Sequence, residues 1–267
     1  MSDEFEHVAR LIESAGSVVA LAGAGISVES GIPDFRSPGG LWTRFDPSIY
    51  ATFESFMNNP TKFWEMAEEL NPLLEGAEPN PAHMALVELE RLGKCDVVIT
   101  QNIDNLHQRA GSSDVLELHG TFHTGTCLKC GTRLTYEEIK QAAAGRVVPV
   151  CKSCGGSIKP DVVLFGEPLN AAVLQRAVEL ATECDLMIVV GSGLEVFPAA
   201  SLPNYAKRGN AKLVFINIAA TVSDDIADVI IVEKAGEALP RIVEAYRNLS
   251  GAGAEANRRS EYNGIRP

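Results

Sequence analysis

The chain has 267 residues, 46% of them hydrophobic, and a formal net charge of −12, a length that suits one large domain or a large and a small one around a sizeable core. That much negative charge disfavours broad binding to nucleic-acid phosphates, and suits plain solubility or the attraction of basic segments such as lysine-rich tails. No apolar run approaches the roughly 18 residues of a membrane helix, and the acidic start Met1-Ser2-Asp3-Glu4-Phe5-Glu6 lacks the basic-then-apolar order of a secretory signal, so a cytoplasmic monomer without membrane or nucleic-acid partners is the default expectation.

Residues 4–15 place Phe5, Val8, Ala9, Leu11 and Ile12 at helical spacing, ending at Gly16. A continuous apolar run at 17–22 then leads into Gly23-Ala24-Gly25-Ile26-Ser27, and runs of the same kind recur at 96–100, 185–190 and 212–216. Such runs fit strands of a parallel sheet buried on both faces. Helical patterns at 82–92 and 171–182 alternate with them, so the fold class is α/β, a doubly wound parallel Rossmann-like sheet. Residues 1–36, 82–120 and 161–250 are assigned to this large discontinuous domain. Residues 37–81, rich in Phe, Trp, Pro and Asn, and 121–160 are assigned to a smaller inserted domain, helical in one part and cysteine-bearing in the other. The small, polar tail 251–267 is expected to be mobile.

Within the second insertion lie Cys127-Leu128-Lys129-Cys130 and Cys151-Lys152-Ser153-Cys154, two pairs separated by twenty residues. Paired thiols at that spacing suit a tetrahedral Zn²⁺ held by four thiolates, a closed and therefore structural site. Lys129, Lys152 and Lys159 are positioned in sequence to offset its negative charge. His123 is close by, but four cysteines complete the shell. Cys95 and Cys184, each before an Asp that opens an apolar strand, fit buried core thiols.

Gly23-x-Gly25 after a strand opens a dinucleotide fingerprint, whose glycines let backbone N–H groups approach a pyrophosphate. Val28 stands at the third glycine position and no acidic ribose anchor is evident, so an ordinary tight strand-to-helix turn is the competing reading. In Ser30-Gly31-Ile32-Pro33-Asp34-Phe35-Arg36, Phe35 either covers a reactive sugar, with Arg36 near phosphate, or plugs the core from a surface loop. Thr100-Gln101-Asn102-Ile103-Asp104 follows a strand, where ligand contacts gather in open α/β sheets; Asp104 is equally suited to cap the next helix. Gly191-Ser192-Gly193 and Asn217 follow two further strands. His119, in Leu118-His119-Gly120, has the chemistry of a general base, although a lone histidine is more often structural. Residues 162–167 and 193–197 are extended and suit either backbone pairing with a peptide or pairing within the protein.

Together these residues resemble the sirtuin family of NAD-dependent protein lysine deacylases, in its bacterial and archaeal form. The likeness spans roughly 18–236 and rests on Gly-Ala-Gly-Ile-Ser at 23–27, Gly-Ile-Pro-Asp-Phe-Arg at 31–36, Thr-Gln-Asn-Ile-Asp at 100–104, Leu-His-Gly at 118–120, the four cysteines, and Phe-Gly-Glu at 165–167. The resemblance implies a protein lysine deacetylase that consumes NAD as an activated sugar, with no hydride transfer, and yields free lysine, nicotinamide and O-acetyl-ADP-ribose. It implies cofactor contacts at Gly23, Ala24, Gly25, Ser27, Asp34, Phe35, Arg36, Gln101, Asn102, Ile103, Asp104, Gly191, Ser192, Gly193, Asn217 and Ala235. His119 is then the general base, and Asn102 orders the ribose and the attacking water. The metal ligands are Cys127, Cys130, Cys151 and Cys154. An acyl-lysine peptide lies against Val163, Phe165, Gly166, Glu167, Leu194, Glu195 and Val196.

Two departures stand out. Gly193 occupies a position where the family usually has a hydroxyl, which weakens phosphate binding unless a backbone N–H serves. Members that remove succinyl or malonyl groups carry Tyr-x-x-Arg on the helix near 64–71, whereas this chain has Trp64-Glu65-Met66-Ala67-Glu68-Glu69-Leu70-Asn71 and no arginine between Arg44 and Arg91. A buried acyl carboxylate would find no cation there and would face Glu65, Glu68 and Glu69, so acetyl or another neutral acyl group is expected. The alternatives are an ADP-ribosyltransferase of the same fold, removal of longer neutral acyl groups, a zinc-stapled Rossmann oxidoreductase, and a zinc-ribbon nucleic-acid module that the net charge disfavours.

Overall fold

A computed structural model describes residues 2–251; the tail expected to be mobile lies, beyond Gly251, outside the described residues. In chain order the elements are α1 (Ser2–Ser14), β1 (Val18–Ala22), α2 (Pro47–Tyr50), α3 (Phe53–Asn58), α4 (Pro60–Gly76), α5 (Pro81–Arg91), β2 (Val97–Thr100), α6 (Leu106–Ala110), β3 (Val115–Glu117), β4 (Gly120–Cys127), β5 (Arg133–Thr135), α7 (Tyr136–Ala142), β6 (Ile158–Val162), α8 (Ala171–Glu183), β7 (Leu186–Val190), α9 (Leu202–Arg208), β8 (Lys212–Ile216), β9 (Val229–Ile231) and α10 (Ala235–Ser250). Among the described residues no helix is long and apolar enough to cross a membrane.

The four apolar runs form β1, β2, β7 and β8 of a six-stranded parallel sheet in the order β3-β2-β1-β7-β8-β9. The chain builds outward from β1 through β2 to β3, then returns to the other flank of β1 with β7. That reversal leaves a crevice beyond the carboxyl ends of β1 and β7, the usual ligand position in an open α/β sheet. Strand alternation sends Val18, Ala20 and Ala22 into a core shared with α1, α5 and α10, and Val19 and Leu21 into a second core under α8 and α9. The edge strands β3 and β9 are only three residues each, too short to stand out as apolar runs.

The turn after β1 does not lead into an α-helix. Residues Ala24–Ser30 form a 3-10 helix that ends on Gly31 at φ +88°. This explains Val28 at the third glycine position. A glycine there serves close packing of a helix on the sheet, whereas the Val28 side chain is exposed.

The second sheet is antiparallel, ordered β5-β4-β6. It packs with α2, α3, α4 and α7 around a third core that includes Leu41, Phe56, Phe63, Trp64, Phe122, Ile139 and Ile158. Pro160 is tolerated because β6 is an edge strand. Opposite it stands Gly125, where a Cβ would come within 2.9 Å of the Lys159 carbonyl oxygen.

Candidate active site

The floor of the crevice is backbone packed on backbone. Gly23 and Gly25 donate their N–H groups to Val190 O (3.0 Å) and Gly191 O (2.8 Å). A Cβ on Gly23 would lie 2.7 Å from Gly191 O, and one on Gly25 would lie 2.7 Å from Gly191 Cα. Those two glycines are therefore required by the close approach of the β1 and β7 ends, and their amides are committed to β7.

Above this floor runs one connected polar cluster. Asn102 Nδ2 donates to Gly23 O (3.2 Å) and to Ser27 Oγ (3.1 Å), and Ser27 donates to Asp104 Oδ2 (2.7 Å). Asn102, Ser27 and Asp104 are all buried. The other Asp104 oxygen accepts the Leu106 N–H (3.0 Å), so Asp104 both holds the first amide of α6, whose N-cap is Asn105, and braces Ser27. Gln101 Nε2 donates to Ser192 Oγ (2.9 Å), joining the ends of β2 and β7.

His119 Nδ1 lies 2.9 Å from Gln101 O. A carbonyl oxygen only accepts, so Nδ1 carries the proton and Nε2 keeps its lone pair. Burial pushes the His119 pKa below the ordinary histidine value, while the Gln101 hydrogen bond pulls it partway back. A neutral imidazole in a fixed tautomer suits a general base. At the end of β8, Asn217 Nδ2 is buried without a hydrogen-bond partner. An unpaired buried donor is costly, and a ribose hydroxyl or carboxamide oxygen would satisfy it. Residues here thus fit a dinucleotide.

The loop after the 3-10 helix is ordered by its own polar groups. Asp34 Oδ1 accepts from Arg36 N (3.1 Å) and Ser37 N (2.9 Å), and its other oxygen accepts from the Ser37 hydroxyl. Phe35 is partly buried against the third core, with its ring 5.1 Å from Trp42, which is 6.1 Å from Phe165. Arg36 pairs with Glu195 at 2.9 Å. Ala24 opens the 3-10 helix, and Ile103 packs partly against the third core. Ala235 opens α10, where Glu29 Oε2 accepts the Gly236 N–H (2.7 Å). Gly193 is exposed and open to a side chain, the nearest atom to its Cβ being Glu195 Oε1 at 3.6 Å.

The two segments expected to be extended are only partly so: 164–167 closes as a turn, with Glu167 N–H on Leu164 O (2.9 Å), and Leu194 stands at φ +56°. Val163 N–H donates to His119 O (2.8 Å), Phe165 N–H to Ala51 O (2.9 Å), and Phe53 N–H to Phe165 O (2.9 Å). Phe165 and Gly166 are exposed, and Val196 is half-buried. Two side chains face elsewhere. Leu194 is buried in the second core, and the Glu167 carboxylate turns inward to Leu164 N–H (2.8 Å) and Lys159 Nζ (2.9 Å).

The four cysteine sulfurs lie within 4.8 Å of one another, with Cys127 to Cys154 at 3.4 Å and Cys130 to Cys151 at 3.8 Å. These separations are too long for disulfides and close to the ~3.8 Å edge of a ZnS₄ tetrahedron with Zn–S bonds of about 2.3 Å. The two knuckles are alike. Each ends in a glycine at φ +71° whose N–H returns 2.9 Å to the carbonyl of the first cysteine, Gly131 to Cys127 and Gly155 to Cys151. Lys129 stays beside them, donating to Cys154 O (3.3 Å). Lys159 does not offset the thiolates, because its ammonium sits under the 160–167 turn. His123 reaches toward Asp104 O (3.4 Å), away from the sulfurs. Cys95 and Cys184 are buried in the two large cores, where burial raises their thiol pKa values to about 12 and about 11.

On α4, Trp64 and Ala67 are buried and packed with Phe63 and Phe122. The acidic residues beside them, Glu65, Glu68 and Glu69, do not belong to that core. The helical period turns Glu65 out to Lys62 (2.8 Å) and Glu69 out to Arg44, and leaves Glu68 exposed, so none of the three supplies the expected repulsion toward this apolar core.

Asn80 and His83 are further residues of consequence. Asn80 caps α5 and donates to Ile26 O (2.7 Å) and Ser30 Oγ (3.0 Å), bracing the 3-10 helix from below. His83 accepts the Asn80 N–H (3.3 Å) and packs edge-to-face on His107. The Asn-Pro pair at the helix start signals the cap, but nothing local in the sequence signals a bond 54 residues away.

A family model described as the Sir2 family matches residues 23–198. The chain is 48% identical over 250 residues to NAD-dependent protein deacylase 2 of Archaeoglobus fulgidus, covering 93% of this chain and 98% of that one. It resembles a solved complex of Sir2 with a p53 peptide and NAD⁺ at TM-score 0.82 and 40% identity, over 88% of this chain and 95% of that one. It likewise resembles Sir2Af2 bound to a myristoylated histone peptide, at TM-score 0.81 and 42% identity, over 94% and 100%.

Proposed function

The chain belongs to the Sir2 family of NAD-dependent protein deacylases, and from that premise we propose that the polar cluster beyond β1, β2, β7 and β8 holds NAD while residues 163–167 and 194–196 hold an acyl-lysine peptide. When bound, NAD supplies an activated ribose that accepts the acyl group as nicotinamide leaves. The rest is done by this chain's side chains. Asn217 Nδ2 offers the buried donor that a ribose hydroxyl would satisfy. Asn102, held by Gly23 O and Ser27, and Asp104, held by Ser27 and the Leu106 amide, keep fixed orientations before any ligand arrives, so little reorganisation is required during reaction. Phe35, Arg36 and the Asp34-ordered loop close over the sugar and phosphates and limit water. The four cysteines hold a structural zinc.

One observation carries the catalytic assignment. The Gln101 carbonyl fixes the His119 tautomer, leaving Nε2 free to take a hydroxyl proton at neutral pH. The acyl group is acetyl or a longer neutral chain, because Trp64 and Ala67 stand among apolar residues and the nearby cations Lys62 and Arg44 are already paired with Glu65 and Glu69. None of the six cysteines is in a disulfide, which suits a reducing cytoplasmic setting, and the protein is proposed to act as a monomer.

The test measures nicotinamide release from NAD with acetyl-lysine peptide, succinyl-lysine peptide or none, on the wild type and His119→Ala. Release should require the acetyl peptide, match deacetylated lysine one for one, and fall about 10²–10⁴-fold in the variant. Faster succinyl removal would overturn the acyl assignment. Transfer of label from NAD to protein would point instead to ADP-ribosyl transfer.

A further inference from the structure

Lys159 sits in β6 opposite Thr126, one register position from the Ile158–Cys127 pair. Strand alternation turns its side chain away from the sulfurs, and the residue is 9% exposed. Its ammonium donates to Val162 O (2.7 Å) and Pro160 O (3.2 Å) and lies 2.9 Å from Glu167 Oε2. Each of its three donors therefore has an acceptor. The same Glu167 oxygen accepts the Leu164 N–H (2.8 Å), and the Glu167 N–H returns to Leu164 O (2.9 Å). The ion pair thus closes a turn around Gly166, whose φ is +88°.

That turn is also tied to His119 through Val163 N–H and to the helical insertion through Phe165. It joins the base, the helices of the insertion and the strand that continues from the cysteine module. A buried ion pair is a poor source of stability, because desolvation offsets its attraction. Its effect here is geometric. We propose that Lys159 and Glu167 are positioning residues, an internal clamp that sets the 163–167 turn in the shape that receives the acyl-lysine peptide. The Glu167 carboxylate then acts from beneath the peptide cleft rather than by touching the peptide, whatever the residue's backbone contributes. This inference rests on the assignment of 163–167 to the peptide site.

The test uses the full, zinc-loaded chain with Glu167→Gln, Lys159→Met and the double variant. Peptide KM and kcat are measured at saturating NAD, and NAD affinity is measured without peptide. Each single variant should raise the acetyl-lysine peptide KM about tenfold, because one buried charge is stranded and the turn relaxes. NAD affinity should stay within about twofold and zinc content should be unchanged, which a general loss of structure would not allow. The double variant strands no charge and should recover part of the loss. Should the single variants fail to fold, a double variant with raised peptide KM and intact NAD affinity supports the clamp. Unchanged peptide KM in the variants, or NAD affinity and zinc lost together with KM, overturns it. A wild type that does not process the acetyl peptide overturns the site assignment and the clamp with it, whereas an active wild type matched by its variants overturns the clamp alone.

Discussion

The crevice end of the large sheet and the cysteine module reach order by different physical routes. At the crevice, β1 and β7 are buried along their whole lengths, and their ends are packed so closely that glycine is required at 23 and 25. The polar cluster sits on that floor and is satisfied almost entirely by its own members. The module has strands of eight, three and five residues and a core drawn from two separate insertions. Two of its buried core members, Cys127 and Cys151, are themselves metal ligands. On the proposed assignment of the two sites, preorganisation for the nucleotide is supplied by the sheet, while the surface facing the peptide depends on an ion and on buried polar ties.

The strongest way to break this comparison is to remove the metal. Structural zinc sites in small modules carry on the order of 10 kcal/mol of binding free energy that is also folding free energy. Chelation, or Cys127→Ser, should unfold the module and abolish peptide turnover. The large sheet should keep most of its circular dichroism and its affinity for NAD in the absence of peptide. Simultaneous loss of NAD affinity would show that the two regions are one cooperative unit.

A smaller effect sharpens the sheet side. His83 and His107 are fully buried between α5 and α6, rings 4.8 Å apart. Burial lowers the His83 pKa to about 4, partly opposed by Asp104, and lowers the His107 pKa to about 3, with His83 adding to the effect. Both folded values lie below the unfolded value of about 6.5. Their neutral forms therefore contribute stability that is complete above pH ~6.5 and declines as pH falls toward the folded values. At pH 5 the loss is about 2 kcal/mol per histidine, with His119 adding in the same direction. Carboxylates with lowered pKa lose stability only below about pH 4.5, but the Glu117 carboxyl, raised by burial, and the zinc thiolates can also respond above it, so the histidine contribution is read from the difference between wild type and variant. Tm should drop across that interval, and the drop should shrink in His107→Leu. An equal drop in the variant would place the acid sensitivity elsewhere.

The same contrast governs how much the sequence discloses. β1, β2, β7 and β8 are legible because burial on both faces demands uninterrupted apolar runs. The cysteine pairs are legible because a tetrahedral ion fixes their spacing. The glycines at 23 and 25 mark the crevice, but their physical role, close packing on Gly191, comes from a partner more than 160 residues away. Edge strands β3 and β9 leave too short a pattern to be seen. Lys159 shows the limit most clearly. Nearness in sequence to Cys154 suggests a counter-charge for thiolates, whereas the pleat of β6 sends its ammonium to Glu167. Which way a side chain faces on a short strand depends on register, which spacing along the chain does not reveal.

The finest test concerns Gly193, where the family usually has a hydroxyl. No left-handed backbone requires glycine at that position, and a Cβ there would meet only the Glu195 carboxylate at ordinary contact distance. The neighbouring Ser192 hydroxyl already accepts from Gln101 Nε2 (2.9 Å) and Leu194 N–H (3.3 Å), which leaves its own proton as a donor toward the crevice. Gly193→Ser adds a second hydroxyl to a floor that needs no rearrangement to accept it. One hydrogen bond of about 0.5–1.5 kcal/mol should tighten NAD binding about two- to tenfold by calorimetry, while zinc content and peptide KM stay as they are. Unchanged NAD affinity would mean that Ser192 and the backbone already satisfy the phosphates, so that the glycine costs this chain nothing. Weaker binding would mean that the added side chain displaces Glu195 from Arg36, making that exposed pair, rather than the missing hydroxyl, the feature that sets affinity at this edge of the crevice.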